Sequence, residues 1–308
     1  MPEVIVAIPS FRRPQGLERL LRALEQLHTD APVSVLVADN DADRLEARRL
    51  CERLQKQYRW PLTCIVAQER GIAQARNALV EHILTHSHAE FVAMLDDDEW
   101  PETGWLDAFL HVQRVTGADA LHGAVVHAFE NRPGRWAGDC HGFAPMRRRS
   151  GPIAAIEGTS NVLISRACFE ALSKPCFDPA FALTGGEDRD FFERLRRQGR
   201  HFAWADDAIV HAWVPSSRAR PWWALQRAYR TGNSDMRVFL KHRDSEVALV
   251  RELAKIAGAT LIYLPVLLAS ALLVRQRMGA LCKLCRAAGK TAALFGHAYN
   301  EYATVHGA

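Results

Sequence analysis

Three consecutive carboxylates, Asp96, Asp97 and Asp98, directly follow a short apolar run in this 308-residue chain. Adjacent carboxylates repel one another at the end of a buried strand, so a cation is expected among them. Mg²⁺ and Mn²⁺ prefer such hard oxygen ligands and also bind phosphate oxygens. The run therefore predicts a divalent cation that holds a phosphorylated ligand. The alternative is a solvated acidic turn in which Asp96 caps the next helix.

A second acidic pair, Glu187 and Asp188, follows two glycines at the predicted start of a helix. Glycine allows a close backbone approach, and the N-terminus of a helix favours ionised carboxylates. Either carboxylate is therefore a candidate general base. The alternative is that both are ordinary capping acids of the helix.

Two further features carry possible chemistry. Arg76 lies among small residues at the predicted start of another helix, where a guanidinium suits a phosphate or an acidic loop. His211 follows an apolar run, and a neutral imidazole there would complete a metal shell or contact a diphosphate. The alternative for His211 is a packing histidine at a strand end.

Alternating strands and helices must position these side chains. Strands are predicted at 4–8, 33–38, 62–66, 91–95 and 120–128, and helices at 17–27, 45–58, 71–83, 105–115 and 191–198. The alternation indicates a doubly wound α/β sheet, whose ligands bind outside the carboxyl ends of the strands. The sequence therefore places the chemistry near Pro9 to Phe11, Asp39 and the acidic run.

Two other segments have no place in that alternation. Residues 132–151 are rich in Gly, Pro and Arg and are interpreted as a lid or a disordered flap. Residues 256–274 carry no charge and are bracketed by Lys255 and Arg275. Three interpretations of this segment remain open. It is a membrane-spanning or re-entrant segment, an in-plane membrane anchor or a buried helix of a soluble protein.

The composition excludes several classes of protein. Hydrophobic residues make up 48% and charged residues 24%, which is typical of a globular protein rather than a polytopic membrane protein. A net charge of +4 is too mild for a nucleic-acid binder, so no nucleic-acid partner is expected. Seven scattered cysteines argue against a disulfide framework, and the first residues lack a signal-peptide pattern. Both observations predict a cytosolic chain.

Taken together, these motifs resemble the family 2 glycosyltransferases of the GT-A fold over residues 4–215. Asp96-x-Asp98 matches the metal-binding D-x-D of that family, and Glu187-Asp188 matches the pair that carries its catalytic base. Gly71-x-x-x-Ala-Arg-Asn is a third match. The nucleotide side departs from the family, because Arg12 replaces the usual Asn and Asp-Asn-Asp at 39–41 replaces Asp-Asp-Gly-Ser.

The resemblance implies a role for each matched residue. Asp188 would be the base, with Glu187 beside it, while Phe11 would lie against the nucleotide base and Asp39 would hold the base or ribose. The implied donor-binding residues are Pro9, Ser10, Phe11, Asp39, Arg76, Asp97 and Arg218. The implied ligands of Mn²⁺ or Mg²⁺ are Asp96, Asp98 and His211. The implied acceptor segment is Gly158, Thr159, Ser160 and Asn161.

The resemblance also implies an activity, which is inverting transfer of a sugar from a nucleotide-diphosphate donor to a saccharide acceptor. Together with the apolar segment, it predicts a polyprenyl-linked acceptor at the cytoplasmic face of the inner membrane, in polysaccharide or glycoconjugate synthesis. Residues 226–230 read Gln-Arg-Ala-Tyr-Arg rather than the Gln-x-x-Arg-Trp of processive synthases, which favours single addition. The alternatives are a nucleotidyltransferase acting on sugar phosphates and a non-catalytic nucleotide-sugar-binding module.

Three parts of the chain are predicted from these features. Residues 1–215 form the GT-A (Rossmann-like) domain, with a mostly parallel sheet flanked by helices. Residues 216–245 form basic and aromatic connecting helices, and residues 246–308 form an apolar and basic helical segment that associates with a membrane surface.

Overall fold

The computed structural model describes residues 1–140, 143, 145–269 and 274–300. Its first part alternates strands with helices in the predicted order. The elements are β1 (Val4–Ser10), α1 (Pro14–Glu25), β2 (Val33–Asp39), α2 (Glu46–Leu54), β3 (Leu62–Val66), α3 (Ile72–His86) and β4 (Phe91–Met94). The helix predicted over 45–58 ends at Leu54, and the other bounds agree with the prediction to within a few residues.

The strands of this part form a parallel sheet in the order β3-β2-β1-β4. All seven residues of β1 are buried, as expected for a central strand covered on both faces. Helix α1 covers one face with Leu17, Leu20, Leu21 and Leu24, a spacing that places all four on one side. The parallel register brings the ends of β1, β2 and β4 to the same edge of the sheet.

The second part continues the sheet with a different pattern. Its elements are β5 (Glu99–Pro101), α4 (Trp105–Thr116), β6 (Ala120–Phe129), β7 (Gly151–Ile153), β8 (Val162–Ser165), α5 (Arg166–Ala171), α6 (Glu187–Arg197) and β9 (Phe202–Val214). Helix α6 begins four residues before the helix predicted at 191–198, so Glu187 and Asp188 lie in its first turn.

The complete sheet is mixed. Strand β8 lies antiparallel between β4 and β6, while β6 and β9 pair in parallel and β5 and β7 pair antiparallel with β9. The connection from β6 to β8 contains the short strand β7 and no α-helix in its described residues, and without a crossover helix the two strands can pair antiparallel. The predicted α/β class with a mostly parallel sheet is thus confirmed, and every antiparallel pairing involves a strand of the second part.

Three long helices follow the sheet: α7 (Pro221–His242), α8 (Glu246–Ala269) and α9 (Val274–Leu294). Helices α7 and α9 lie so close together that a methyl group on Gly232 would collide with the carbonyl of Arg286. Helix α8 contains Pro265 and covers most of the apolar segment 256–274, of which residues 270–273 lie outside the described residues.

The loop at 132–151 is not a free flap where it is described. Ala137, Cys140 and Phe143 are buried against Trp223 of α7 and Met278 of α9. Apolar contact with two long helices therefore holds this part of the loop in place, which its Gly, Pro and Arg content did not indicate.

Candidate functional site

Arg76 is the centre of the site at the carboxyl edge of the sheet. It lies in the second turn of α3 and is only 5% exposed. Its Nη2 lies 3.4 Å from Oδ1 of Asp96, and its Nη1 donates to Oε1 of Glu187. One buried guanidinium therefore joins the turn after β4 to the first turn of α6, two segments far apart in the sequence.

Glu187 and Asp188 face different surroundings although they are neighbours. Glu187 is buried, and its Oε2 has no hydrogen-bond partner among the described residues. Burial, together with the charge of Asp188, raises the pKa of Glu187 to about 7, although Arg76 opposes the shift. Asp188 is half-buried and accepts a hydrogen bond from its neighbour Arg189 through Oδ1 at 2.7 Å.

The second oxygen of Asp188 points towards the predicted acceptor segment. A methyl group built on Gly158 would lie 3.5 Å from Oδ2 of Asp188. Glycine at position 158 therefore leaves space beside this oxygen, into which a hydroxyl group can fit. Asp188 is consequently the member of the pair that a ligand can reach.

Asp97 turns back towards the end of β1. Its Oδ2 accepts hydrogen bonds from Oγ of Ser10 at 3.0 Å and from the backbone N–H of Phe11 at 3.1 Å. Burial raises the pKa of Asp97 to about 6, while the charge of Arg13 opposes the shift. Asp97 thus anchors the loop after β1. Both of its carboxylate oxygens are used in this way, since Oδ1 accepts a hydrogen bond from Arg13.

Asp98 lies between two arginines. Its Oδ2 accepts from Nη1 of Arg13 at 2.8 Å and from Nη1 of Arg218 at 3.1 Å. The predicted residue Arg218, which follows β9, is therefore part of the site. Arg13 was not predicted as a site residue, although its position two residues after Phe11 in the same loop is a signal that sequence reasoning could have used.

Glu99 is a second residue that the sequence analysis missed. It is 2% exposed, its Oε2 accepts from the backbone N–H of Asp96 at 3.0 Å, and its Oε1 accepts from Oγ of Ser160. Burial raises the pKa of Glu99 well above its usual range. Glu99 therefore ties the acidic turn to the predicted acceptor segment, and the only signal for it was its place directly after the acidic run.

Asn161, at the end of that segment, points into the protein. Its Oδ1 accepts from Nε1 of Trp105 at 2.7 Å, and its Nδ2 donates to the carbonyls of Ala124 and Ala208, each at 2.8 Å. All its side-chain groups are therefore used inside the sheet, and none faces an acceptor. Thr159 is also buried, and its Oγ1 has no partner in the described part of the chain.

The residues predicted to bind the nucleotide include Phe11, which lies in the loop after β1. The guanidinium carbons of Arg12 and Arg70 lie 4.8 and 4.9 Å from the centre of its ring. Pro9 is buried in β1 and pairs with Ala38. Two guanidinium groups therefore lie beside the ring of Phe11, and its role against a nucleotide base stays a prediction.

Asp39 and its neighbour Asn40 organise the next loop. Oδ1 of Asp39 accepts from the backbone N–H of Asp41 at 3.1 Å, and Oδ2 accepts from the N–H of Arg48 at 3.0 Å, so Asp39 caps α2. Nδ2 of Asn40 donates to a backbone carbonyl at position 69, and its Oδ1 accepts from the N–H of Gly71 at 2.8 Å. Asn40 therefore positions the start of α3, and with it Arg76.

His211 lies in β9 and contacts residues other than those of the acidic run. Its Nε2 lies 3.1 Å from Oε1 of Glu102, and its ring stacks on Trp100 with centres 5.5 Å apart. Within the described ranges there is no group of three or more His, Cys, Asp and Glu side chains arranged to hold a metal ion. The assignment of His211 as a ligand stays a prediction.

A network of buried charges holds α6 against the helices that follow. Asp235 of α7 accepts from Arg189 of α6 and from Nη2 of Arg286 of α9, the latter at 2.6 Å. Asp190 of α6 is fully buried and pairs with Nζ of Lys241 at 2.6 Å. The helix that carries Glu187-Asp188 is therefore fixed by α7 and α9, which no local sequence pattern indicated.

Comparison with known proteins places these features in a family. A family model described as "Glycosyl transferase family 2" matches residues 5–173. The chain is 32% identical over 237 residues to "Succinoglycan biosynthesis protein ExoM" of Rhizobium meliloti (strain 1021), which covers 76% of this chain and 74% of that protein.

Solved structures share the fold at low sequence identity. TarS residues 1–349 of S. aureus, in complex with UDP, superimposes with a TM-score of 0.51 and 14% identity, covering 97% of this chain and 93% of that one. GalNAc-T7 with UDP, GalNAc and Mn²⁺ superimposes with a TM-score of 0.59 and 12% identity over 80% of this chain. This chain spans about half of GalNAc-T7, since the match covers 49% of it.

Proposed function

The chain belongs to glycosyl transferase family 2, and from that premise we propose that Asp96, Arg76 and Asp188 form the centre that transfers a sugar from a nucleotide-diphosphate donor. The comparisons confirm the resemblance to the family and the GT-A fold. The similarity to a succinoglycan biosynthesis protein supports a role in polysaccharide synthesis, which is part of the proposal. The observation that carries the proposal is the buried guanidinium of Arg76, which links the acidic turn to Glu187 beside Asp188.

The carboxylates of the acidic turn suit a cation that is shared with the substrate. Asp96 and Asp98 supply hard oxygen ligands from two half-buried side chains, which fits Mg²⁺ or Mn²⁺ bound through one or two carboxylates plus phosphate oxygens. When bound, such a cation would neutralise the charge that develops on the departing diphosphate. Arg13 and Arg218 already lie at Asp98, so positive charge surrounds the same position.

The donor's nucleotide is proposed to lie against Phe11, beyond the ends of β1 and β2. Ser10 and Asp97 hold the loop that carries Phe11, and Asp39 shapes the neighbouring loop through its backbone hydrogen bonds. These residues therefore preorganise the donor site, whether or not their side chains touch the nucleotide.

Asp188 is proposed to accept the proton of the acceptor hydroxyl at Oδ2, the oxygen beside Gly158. The N–H of Arg189 holds the other oxygen, so the carboxylate is oriented. Attack from the side of Asp188 on the anomeric carbon, opposite the diphosphate, would invert its configuration. Glu187 forms an ion pair with Arg76. We propose that it positions Asp188 and does not take the proton itself.

The acceptor is proposed to be a saccharide on a polyprenyl carrier at the cytoplasmic face of the membrane. In the described part of the chain, α8 is the one helix long and apolar enough to cross a membrane, and 6% of its apolar window is buried within the protein. A membrane surface would cover these exposed side chains, and a lipid-linked acceptor would be presented at that surface.

The test measures donor hydrolysis and transfer over a panel of nucleotide sugars, with Mn²⁺, with Mg²⁺ and with a chelator. We expect metal-dependent turnover of one donor, and we expect Asp188→Asn to lower transfer by about 10²–10⁴-fold while donor affinity is retained. Asp207→Asn, at an exposed position of β9, is the matched control and should leave transfer unchanged. Transfer by Asp188→Asn near the wild-type rate would contradict the base assignment, and release of pyrophosphate from nucleoside triphosphates would indicate a nucleotidyltransferase instead.

A further inference from the structure

Two cysteines from distant parts of the chain meet between the loop at 132–151 and helix α9. Sγ of Cys140 lies 3.2 Å from Sγ of Cys282, although the two residues are 142 positions apart in the sequence. Cys140 is 2% exposed and Cys282 is 9% exposed. Both are thiols, since no disulfide bond joins cysteines of the described residues. The proposed sugar transfer uses neither sulfur.

Apolar packing holds the two sulfurs together. Both cysteines belong to a buried cluster that also contains Ala137, Phe143 and Met278. An S–S bond is about 2.05 Å long, so the two sulfurs need to approach by roughly 1 Å. Cys140 follows a short 3₁₀ helix and lies in no helix or strand itself. A small shift of this loop residue can therefore bring the sulfurs to bonding distance while α9 keeps its position.

Cys285 is the other candidate partner for Cys282, because the two form a C-x-x-C sequence within α9. Side chains three residues apart on a helix have Cβ atoms about 5–6 Å apart. A disulfide bond requires Cβ atoms about 3.5–4.5 Å apart. A bond between Cys282 and Cys285 would therefore distort α9, whereas a bond to Cys140 leaves the helix intact.

The position of Cys282 in α9 gives such a bond a structural consequence. Cys282 lies one turn before Arg286, whose Nη2 donates to Asp235 of α7 at 2.6 Å. The carbonyl of Arg286 also lies where a methyl group on Gly232 of α7 would collide with it. A bond at Cys282 would therefore fasten the turn of α9 that packs on α7 to the loop that follows β6.

We propose that Cys140 and Cys282 form a reversible disulfide bond by exchange with a small-molecule disulfide such as oxidised glutathione. The thiolate of Cys140 attacks one sulfur of the small disulfide and releases one thiolate. Cys282 then attacks Sγ of Cys140 in the mixed disulfide and releases the second thiolate. Two protein thiols are oxidised, the small disulfide is reduced to two thiols, and the two protein protons pass to them. A reducing cytosol keeps the pair as thiols until oxidised disulfide accumulates.

The exchange begins at Cys140. The hydrogen bond with Cys140, and then burial, raise the pKa of Cys282, so its thiol stays protonated. Cys140 lies in a loop, where local opening costs less free energy than in a packed helix. Once Cys140 is in the mixed disulfide, the hydrogen bond that raises the pKa of Cys282 is gone. The second thiol then ionises more readily and completes the bond.

The experiment incubates the full-length protein in glutathione buffers that range from fully reduced to fully oxidised. The remaining thiols are alkylated, and the tryptic peptides are identified by mass spectrometry without reductant. We expect a cross-link between Cys140 and Cys282 in the oxidised buffers, which dithiothreitol reverses. Because this bond closes a loop across 142 positions, the oxidised protein should melt about 5–10 °C above the reduced protein.

Three variants test the order of attack. Cys282→Ser should form no cross-link and should keep glutathione on Cys140, because the second step is blocked. Cys140→Ser should form no cross-link and should leave Cys282 as a thiol. Cys285→Ser is the matched control, because it changes a cysteine of the same helix, and it should behave as the wild type does. Each oxidised sample is compared with its own reduced sample, so a less stable variant still gives a melting shift.

Four results would overturn the proposal. They are two unmodified thiols in the most oxidising buffer, a cross-link from Cys282 to Cys285, a cross-link from Cys140 to Cys282 that does not raise the melting temperature, and glutathione on Cys282 in Cys140→Ser. A bond between Cys51 and Cys64, whose thiols also share a hydrogen bond, is identified separately in the same peptides. None of these measurements uses sugar transfer, so the proposed function and this modification site can fail independently.

Discussion

Helices α8 and α9 are neighbours of similar length, yet they relate to the rest of the protein in opposite ways. Helix α9 buries Met278, Ala280 and Ala287, whereas Glu252 is the buried residue of α8 within its described span. Large apolar side chains of α8 stand in the open, with Leu261 76% exposed and Leu268 73% exposed. The C-terminal segment, predicted as one membrane-associating unit, therefore contains one helix that packs on the protein and one that is largely exposed.

The difference follows from the side chains at each interface. Helix α9 presents small residues to α7, so the two backbones meet at Gly289 and Gly232 and the charge network around Asp235 can close. Helix α8 presents long apolar side chains that are largely exposed, Leu261 and Leu268 among them. We conclude that α9 belongs to the part of the protein that fixes α6, the helix that carries the proposed base Asp188, and that a membrane contact is to be tested at α8. The predicted domain boundaries at 215 and 245 stay predictions.

The strongest test of this contrast places a methyl group at the helix crossing. Gly289→Ala would drive Cβ into the carbonyl of Tyr229, so we expect a loss of about 3 kcal/mol in the free energy of unfolding. Gly258→Ala in α8 is the control, because no described atom lies within 4 Å of the added methyl. There the higher helix propensity of alanine should add about 0.5–1 kcal/mol. Chemical denaturation measures the free energy of unfolding of both variants. Equal changes in the two would mean that α8 and α9 do not differ in how tightly they pack.

The next test removes the charge that joins α6 to α9. Asp235→Asn leaves Arg189 and Arg286 without their shared carboxylate, and since both arginines are partly solvated we expect a loss of about 2 kcal/mol. The turnover number should fall as well, because α6 carries Asp188. Glu246→Gln, at an exposed position of α8, is the control for the loss of one negative charge. An unchanged turnover number in Asp235→Asn would show that the network does not position the base.

A test of intermediate size concerns the exposed face of α8. Leu261→Glu should change the free energy of unfolding by no more than about 0.5 kcal/mol, since the side chain is exposed. Partitioning onto anionic lipid vesicles should nevertheless fall about tenfold, as expected when one leucine no longer enters an apolar phase. Val115→Glu, at a 71% exposed position of α4, is the control and should bind vesicles like the wild type. Equal partitioning of the two variants would place the membrane contact elsewhere.

The smallest expected effect lies in the link between α8 and α9. Glu252 pairs with Lys290 of α9 and with Lys255, and although burial acts in the opposite direction, these two hydrogen bonds hold the pKa of Glu252 below its usual range. A lowered carboxyl pKa stabilises the fold at pH values above the unfolded pKa, near 4.3, and the stabilisation is lost as the pH falls through the folded pKa.

Glu252→Gln should therefore cost about 0.5–1 kcal/mol at pH 7 and almost nothing at pH 3. Unfolding curves of both proteins at the two pH values measure the difference. A gap that stays constant with pH would mean that the charge of Glu252 does not stabilise this contact.

Local sequence signals were enough to predict much of the sheet and several of the side chains that meet at its carboxyl edge. The strands at 4–8, 33–38, 62–66 and 91–95 were predicted because a buried parallel strand is a continuous apolar run whatever its neighbours are. The acidic run and Glu187-Asp188 were singled out because adjacent carboxylates at strand and helix ends suit a cation or a general base, although helix capping was the alternative for both. The order of the family's motifs predicted that these two acidic motifs belong to one site. The contacts of Arg76 with Asp96 and Glu187 support that prediction.

Long-range packing decided the rest. Strand β8 is antiparallel, Asn161 faces the interior and the loop at 132–151 rests on α9, because each depends on segments distant in the sequence. Arg13 and Glu99 became part of the site only when the end of β1, the acidic turn and the acceptor segment met at one edge of the sheet. Hydrogen bonds and ion pairs act over a few ångströms, so which side chains they join is settled by the folded arrangement and not by the order of residues along the chain.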